Sequence, residues 1–285
     1  MNKMSQDANG LIWHYTDANG LIGILSSNSF WASSTLFMND VTELRLGTEA
    51  VQSYIDVHAN SLRPRTQRAF RDWNRFAKEA DGRILHTFLF CASRCGDSLA
   101  MWRGYAAGSG GFAIGIDPEH VFTNKNPDRW ETDLPWLSVE YDDQGYMRLI
   151  EDLARSLEGK PDLGESEIAA SMYSSMDEFE IETTVHRIKD RAFRDENEVR
   201  LIVPARDSNI SQIKHRAGVF GVVPYVDITA GSDSSSGERV KNLPITHVRI
   251  GPTRYPEQSI LSVRSLLAAK GYRGVKTSLS EAPFR

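Results

Sequence analysis

Cysteine is nearly absent. Cys91 and Cys95 are the two thiols in 285 residues. Two cysteines do not make a disulfide framework, so a reducing setting is expected. No second pair of thiols or imidazoles at suitable spacing completes a four-ligand metal set. Cys91 therefore reads as a small buried residue at a strand end. An excess of positive charge is also lacking: the net charge is −5 and the pI about 5.8. That balance disfavours bulk attraction to nucleic acid or to a membrane surface. The arginines at 63, 65, 68, 71 and 75 read instead as the solvated face of a helix. No uninterrupted apolar run approaches membrane-spanning length. The opening Met-Asn-Lys-Met-Ser-Gln-Asp carries no apolar signal core, so a cytoplasmic protein without a membrane partner is expected. Gly108 to Gly111 lacks the Lys-Ser/Thr ending of a phosphate loop and precedes a strand, so it reads as a turn. No Gly-x-Ser-x-Gly elbow and no internal repeat occur.

What is present is ordinary globular material. Hydrophobic residues make up 40% and charged residues 25%, enough apolar side chain to bury a core. Ile12–Thr16 and Phe30–Ser34 read as short strands. Between them Asp17 caps a helix through Leu21, Ile22, Ile24 and Leu25. Met38-Asn39-Asp40 reads as a turn before a helix that begins at Glu43 and carries His58 as a packed or surface residue. Pro64 opens another helix. Ile84–Cys91 is a nearly continuous apolar run, as a strand covered on both faces would be. Asp97–Tyr105 reads as a short helix. Phe112–Ile116 and Leu137–Tyr141 read as strands. Two helices follow, the first with Tyr146, Leu149, Ile150, Leu153 and Leu157 on one face. The second runs roughly from Ser166 to Arg191, with Ile168, Met172, Met176 and Phe179 as core filler. Further strands are expected at Phe220–Thr229, Ile245–Gly251 and Gly274–Thr277, with a polar loop at Gly231–Gly237 and a helix at Ser259–Lys270. The irregular order excludes a βαβ alternation. It predicts an α+β fold with a mixed or antiparallel sheet, a single domain over 1–285 with helical insertions at 44–82 and 145–192.

Lys189–Pro204 concentrates the chemistry. Asp195, Glu196, Glu198 and Arg200 press against Val199, Leu201, Ile202 and Val203, with the period of two expected of a strand. On such a strand Glu196, Glu198 and Arg200 share a face. Charges there are costly to bury without partners, which points to a polar cleft with Glu198 as its working carboxylate.

His14-Tyr15-Thr16, Met38-Asn39-Asp40-x-x-Glu43, Met101-Trp102-x-x-Tyr105 and Glu196-x-Glu198-x-Arg200, with the closing Ser278…Pro283-Phe284-Arg285, resemble an uncharacterised bacterial family of unknown function. A more distant resemblance carries an activity. His14-Tyr15-Thr16 before a capped helix is similar to the opening motif of ADP-ribosyltransferases of the His-Tyr-Glu class, which include DarT-like toxins and poly-ADP-ribose polymerases. Phe90–Ser93 followed by Ser98 and Tyr105, and then Asn197–Val203, resemble that class's later segments, in the same order. The resemblance implies that class's fold and NAD as the substrate. It makes Glu198, Tyr105 and His14 catalytic, and has His14, Tyr15, Thr16, Ser98, Trp102, Arg103, Glu196 and Arg200 binding NAD. Tyr15, Trp102 and Tyr105 remain alternatives for the ring that stacks on nicotinamide, and Arg103 or Arg200 for the group that neutralises the diphosphate. The acceptor, protein or nucleic acid, is left open, as is a role in toxicity or phage defence. Two other classes compete: a non-catalytic nucleotide- or partner-binding module of a stress or defence system, and a metal-dependent hydrolase using Asp40, Glu43 and Glu198.

Overall fold

Asp17 turns the chain from strand to helix. Strand β1 (Ile12–Thr16) ends there, and the Asp17 carboxylate accepts the Gly20 backbone N–H at 2.7 Å to start α1 (Ala18–Ser27), one of the donors a helix N-terminus leaves unsatisfied. Asn28, in the left-handed region at φ 50°, closes α1 and returns the chain as β2 (Phe30–Ser34). The computed structural model describes residues 10–38, 43–79, 87–105, 111–124, 132–161, 167–204, 212–218, 221–232 and 240–283. The expected Asn39-Asp40 turn, the Gly108–Gly110 turn, most of the Gly231–Gly237 loop and Phe284-Arg285 lie outside the described residues, as does the Glu43 side chain.

The remaining elements are α2 (Glu43–His58), α3 (Pro64–Glu79), β3 (Thr87–Ser93), α4 (Leu99–Tyr105), β4 (Phe112–Ile116), β5 (Phe122–Asn124), β6 (Thr132–Leu134), β7 (Leu137–Ser138), α5 (Asp143–Gly159), α6 (Glu167–Val185), β8 (Glu198–Pro204), β9 (Lys214–Gly218), β10 (Gly221–Ala230), β11 (Ile245–Ile250), α7 (Pro256–Ala269) and β12 (Lys276–Leu279). The strands join in one branched sheet along β12-β11-β4-β1-β3-β2-β10-β5-β6, with β8 on β3, β7 on β8 and β9 on β10. Every described pairing among these strands is antiparallel except β11–β12. The fold is α+β with a mostly antiparallel sheet, as the irregular order of elements predicts.

The sheet forks at β3. On one side β3 pairs with β8 along its whole length, Thr87↔Pro204 to Ser93↔Glu198. On the other side β1 meets it at Trp13↔Ser93 and β2 at Ser33↔Leu89 and Ser34↔Phe88. Among the described residues Phe90–Ala92 therefore have no strand partner on that side, where β1 and β2 diverge.

Besides a small cluster of Trp13, Tyr15, Met101, Trp102 and Ala113, two larger apolar cores stand apart among the described residues. One lies against the sheet, around Phe30, Phe88, Phe90, Ile114, Leu201 and Ile250. The other fills the space between α2, α3, α5 and α6, with Val51, Phe70, Trp73, Leu153, Ile181 and Val185. Arg65 is not on the solvated face expected of it. It is buried, held by Asp177 at 2.9 Å, while Arg68, Arg71 and Arg75 are exposed. Met176 is 47% exposed rather than core filler.

Three boundaries near the site differ from expectation. Helix α6 stops at Val185, short of Arg191, because the chain straightens to exchange backbone hydrogen bonds with Glu140 through Arg187 and Lys189. Glu196 is not on the strand: it ends a 3₁₀ turn, Arg191–Glu196, and Asn197 follows at φ 43°. Tyr141 lies beyond β7, and its hydroxyl accepts the Glu198 N–H at 2.8 Å. No helix among the described residues is long and apolar enough to cross a membrane.

Candidate functional site

At the fork opens a cavity of about 880 Å³, within the roughly 300–1,000 Å³ of small-molecule sites. Its walls come from β1, the start of α1, β2, the middle of β3, α4, the Lys189–Glu198 stretch and the β9–β10 hairpin. Segments almost two hundred residues apart meet here because β3 sits between β1 and β8.

His14 bridges the gap left by the missing ladder. Its Nδ1 lies 2.8 Å from the Cys91 carbonyl oxygen. A carbonyl only accepts, so Nδ1 carries the proton and Nε2 is left as an acceptor. Burial is the main cause that lowers the His14 pKa to about 4, with the Arg216 charge adding to it and the bond to Cys91 opposing it. The imidazole is thus neutral at pH 7. Its ring rests 4.4 Å from that of Phe90.

Opposite, four charges share one cluster. Arg200, with no exposed surface, donates through Nε to Glu198 Oε1 at 2.8 Å and through Nη2 to Oε2 at 2.9 Å, and through Nη1 to the His186 carbonyl at 2.7 Å. Lys189 Nζ sits 2.9 Å from Glu198 Oε2 and 2.6 Å from Glu196 Oε2. Burial alone would raise the Glu198 pKa, but Arg200 and Lys189 outweigh it and lower it to about 2. Glu196 moves the other way: burial lifts its pKa above the ordinary value, against the pull of Lys189. The Tyr105 hydroxyl donates to Glu196 Oε1 at 2.9 Å, and burial raises its own pKa, so it stays protonated.

The cavity thus brings together His14, Tyr15, Thr16, Tyr105, Glu196 and Glu198, and leaves Ser98, Trp102, Arg103 and Arg200 outside its lining. Arg200 lies behind Glu198. Trp102 packs under the floor, donating from Nε1 to Asp97 at 2.7 Å, with its ring edge-on to Tyr15. Tyr15 lines the wall but its hydroxyl is already used, donating to the Cys95 carbonyl and accepting from the Ser98 N–H. Arg103 is exposed.

Lys189, Cys91 and Arg216 are among the lining residues that were not sequence candidates. Lys189 falls in the charged stretch, but a helix expected through Arg191 hides it. Cys91 reads as inert filler and instead faces the cavity beside Glu198. Burial, and then Glu198, push its thiol pKa well up, which makes it a poor nucleophile. Arg216, on the far wall, donates to Ser33 Oγ at 2.9 Å and lies over the Trp31 ring; nothing local in the sequence marks it. Among the described residues no group of three His, Cys, Asp or Glu side chains could hold a metal ion; Asp40 and the Glu43 side chain of the metal-dependent alternative lie outside them.

Residues 101–201 match the model of DUF2971, a family of proteins of unknown function. The match bears out the resemblance to an uncharacterised family. The DUF2971 stretch contains Tyr105, Lys189, Glu196, Glu198 and Arg200, whereas His14 and the Met38–Glu43 motif precede it. No activity comes with the DUF2971 description. No curated protein and no solved structure matches the chain.

Proposed function

We propose that the cavity binds NAD and that the protein is an ADP-ribosyltransferase-like enzyme. One observation supports this above the others: a neutral histidine on β1, a protonated tyrosine on α4 and a carboxylate pair at the head of β8 converge on one hollow at the sheet fork. The resemblance of the motifs supplies the substrate. In this reading His14 Nε2 and the Thr16 hydroxyl orient the adenosine-side ribose, and Tyr105 is the aromatic that meets nicotinamide. Arg216, rather than Arg103 or Arg200, is the cation placed on the cavity wall for the diphosphate.

The chemistry asked of the site is modest in parts. The bond between nicotinamide N1 and ribose C1′ breaks with its electron pair going to the departing ring, which loses its positive charge. An oxocarbenium-like sugar remains, as in glycoside hydrolysis. A carboxylate beside the ribose hydroxyls orients the sugar and stabilises that charge; the resemblance gives this role to Glu198. The acceptor's nucleophile then bonds to C1′ and releases its proton.

The test is nicotinamide release from NAD by the wild-type protein and by Tyr105→Ala, alongside calorimetric titration with NAD. The expected result is release by the wild type and at least a roughly 100-fold loss in the variant. Binding without release would assign a non-catalytic nucleotide-binding module. Neither binding nor release would sink the proposal.

A further inference from the structure

The two carboxylates at the site are not equivalent. Glu198 receives Arg200 Nε on Oε1, and Arg200 Nη2 and Lys189 Nζ on Oε2. A carboxylate offers about four acceptor positions; these donors take three of them, both on Oε2 included, and Oε1 lies against the fully buried guanidinium of Arg200. Two cations bear on its one negative charge. Glu196 accepts one bond on each oxygen, from Tyr105 and from Lys189. Each of its oxygens keeps a position for a ligand hydroxyl, and it shares one cation with its neighbour. Its side chain is 14% exposed against 6% for Glu198.

The backbone explains why. Asn197, in the left-handed region, breaks the run between the two glutamates, so both reach the cavity from different elements, a 3₁₀ turn and a strand. Ser93 Oγ donates to the Glu196 carbonyl at 2.6 Å and fixes the turn against β3. Lys189 is fixed as firmly: its N–H donates to the Glu140 carbonyl at 3.0 Å, and its carbonyl accepts the Tyr146 hydroxyl at 2.6 Å.

We infer that Glu196 is the carboxylate that contacts the bound substrate, and that Glu198 with Arg200 is a positioning pair that holds Lys189 beneath it. Glu196 accepts a ribose hydroxyl and faces the charge developing at C1′. Glu198 keeps the ammonium of Lys189 where it orients Glu196 from below, while Tyr105 orients it from the side. This rests on the NAD reading and reverses the roles that the resemblance alone would give, with Glu198 catalytic.

Two measurements decide it. In the first, kcat and KM for nicotinamide release are compared for wild type, Glu196→Gln and Lys189→Met with Lys189→Arg. Glu196→Gln is expected to melt near wild type and to lose about 100-fold or more in kcat with KM little changed, the pattern of an interaction made in the transition state. Lys189→Met is expected to shift the acidic limb of the pH profile upward, because the cation that lowers the Glu196 pKa is gone, and Lys189→Arg to restore it. In the second, the apo wild-type protein is treated with a water-soluble carbodiimide and a small amine, and the sites are read by mass spectrometry. Glu196 is expected to react and Glu198 to be spared. This arm needs neither turnover nor a Glu198 variant, which could fail to fold. Release that survives Glu196→Gln within about 3-fold, or coupling at Glu198 with Glu196 untouched, overturns the assignment. Absence of NAD cleavage by the wild type overturns the NAD reading and the substrate contact with it, while the labelling still reports which carboxylate faces the cavity.

Discussion

His14 and His186 are both held neutral, chiefly by burial, with pKa values lowered to about 4 and about 3. In the unfolded chain each titrates near 6.5. Below that pH the unfolded state takes up protons that the folded state refuses, so stability falls as the pH drops from 6.5 towards 4. For His14 the loss is at most about 3 kcal/mol, reduced by whatever water enters the cavity. Glu198 adds a second, lower window. Its pKa is lowered to about 2, so its contribution is complete above about 4.5 and is lost as the pH falls towards 2. Urea melts at pH 7, 5.5 and 4.5 should show the first window, and His14→Asn, whose amide can still donate to Cys91, should flatten it. A slope unchanged in that variant would mean that the imidazole titrates as if exposed. Single residues were legible in proportion to how local their signal is. The Asp17 cap and the charge cluster around Glu198 could be read directly. Lys189, Cys91 and Arg216 could not, because their importance comes from what packs beside them.

At the level of elements, α2 contains a glycine that a helix would ordinarily be better without. Gly→Ala in a helix interior usually gains about 1 kcal/mol. At Gly47 the sign should reverse: an added Cβ would lie 2.5 Å from the backbone carbonyl oxygen of Val185 at the end of α6, and backbone cannot swing aside. Gly47→Ala should therefore cost on the order of 1–3 kcal/mol, read as a lower urea midpoint with the m-value unchanged. A stabilised variant would show that α2 and α6 are not in contact there. Most helices and strands announced themselves by periodicity and by their caps. The end of α6 did not, because its helical pattern runs on into residues that tertiary hydrogen bonds to Glu140 pull straight. The break at Asn197 was hidden too, since Glu196-Asn197-Glu198 alternates as a strand would while the backbone turns left-handed.

For the whole molecule, the helical core depends on a buried ionic knot. Asp177 takes Arg65 through both oxygens, at 3.2 and 2.9 Å, and Lys160 at 2.8 Å. Asp177→Ala leaves two cations beside a methyl group and should cost about 3–5 kcal/mol. Hydrogen exchange should then rise in α3, α5 and α6 before it rises in β3 and β8; a uniform rise would mean that the two cores unfold as one. The α+β class could be read from the order of elements, but the fork could not, because strand pairing across some 80 residues leaves no mark in a local pattern. Its geometry has a mechanical side. Helix α1 spans from the end of β1 to the start of β2, and at Gly23 it lies so close to the Trp31 ring that even a methyl group would collide. Trp31 also lines the cavity, so a bulkier residue at position 23 would press through that ring on whatever guest the hollow holds.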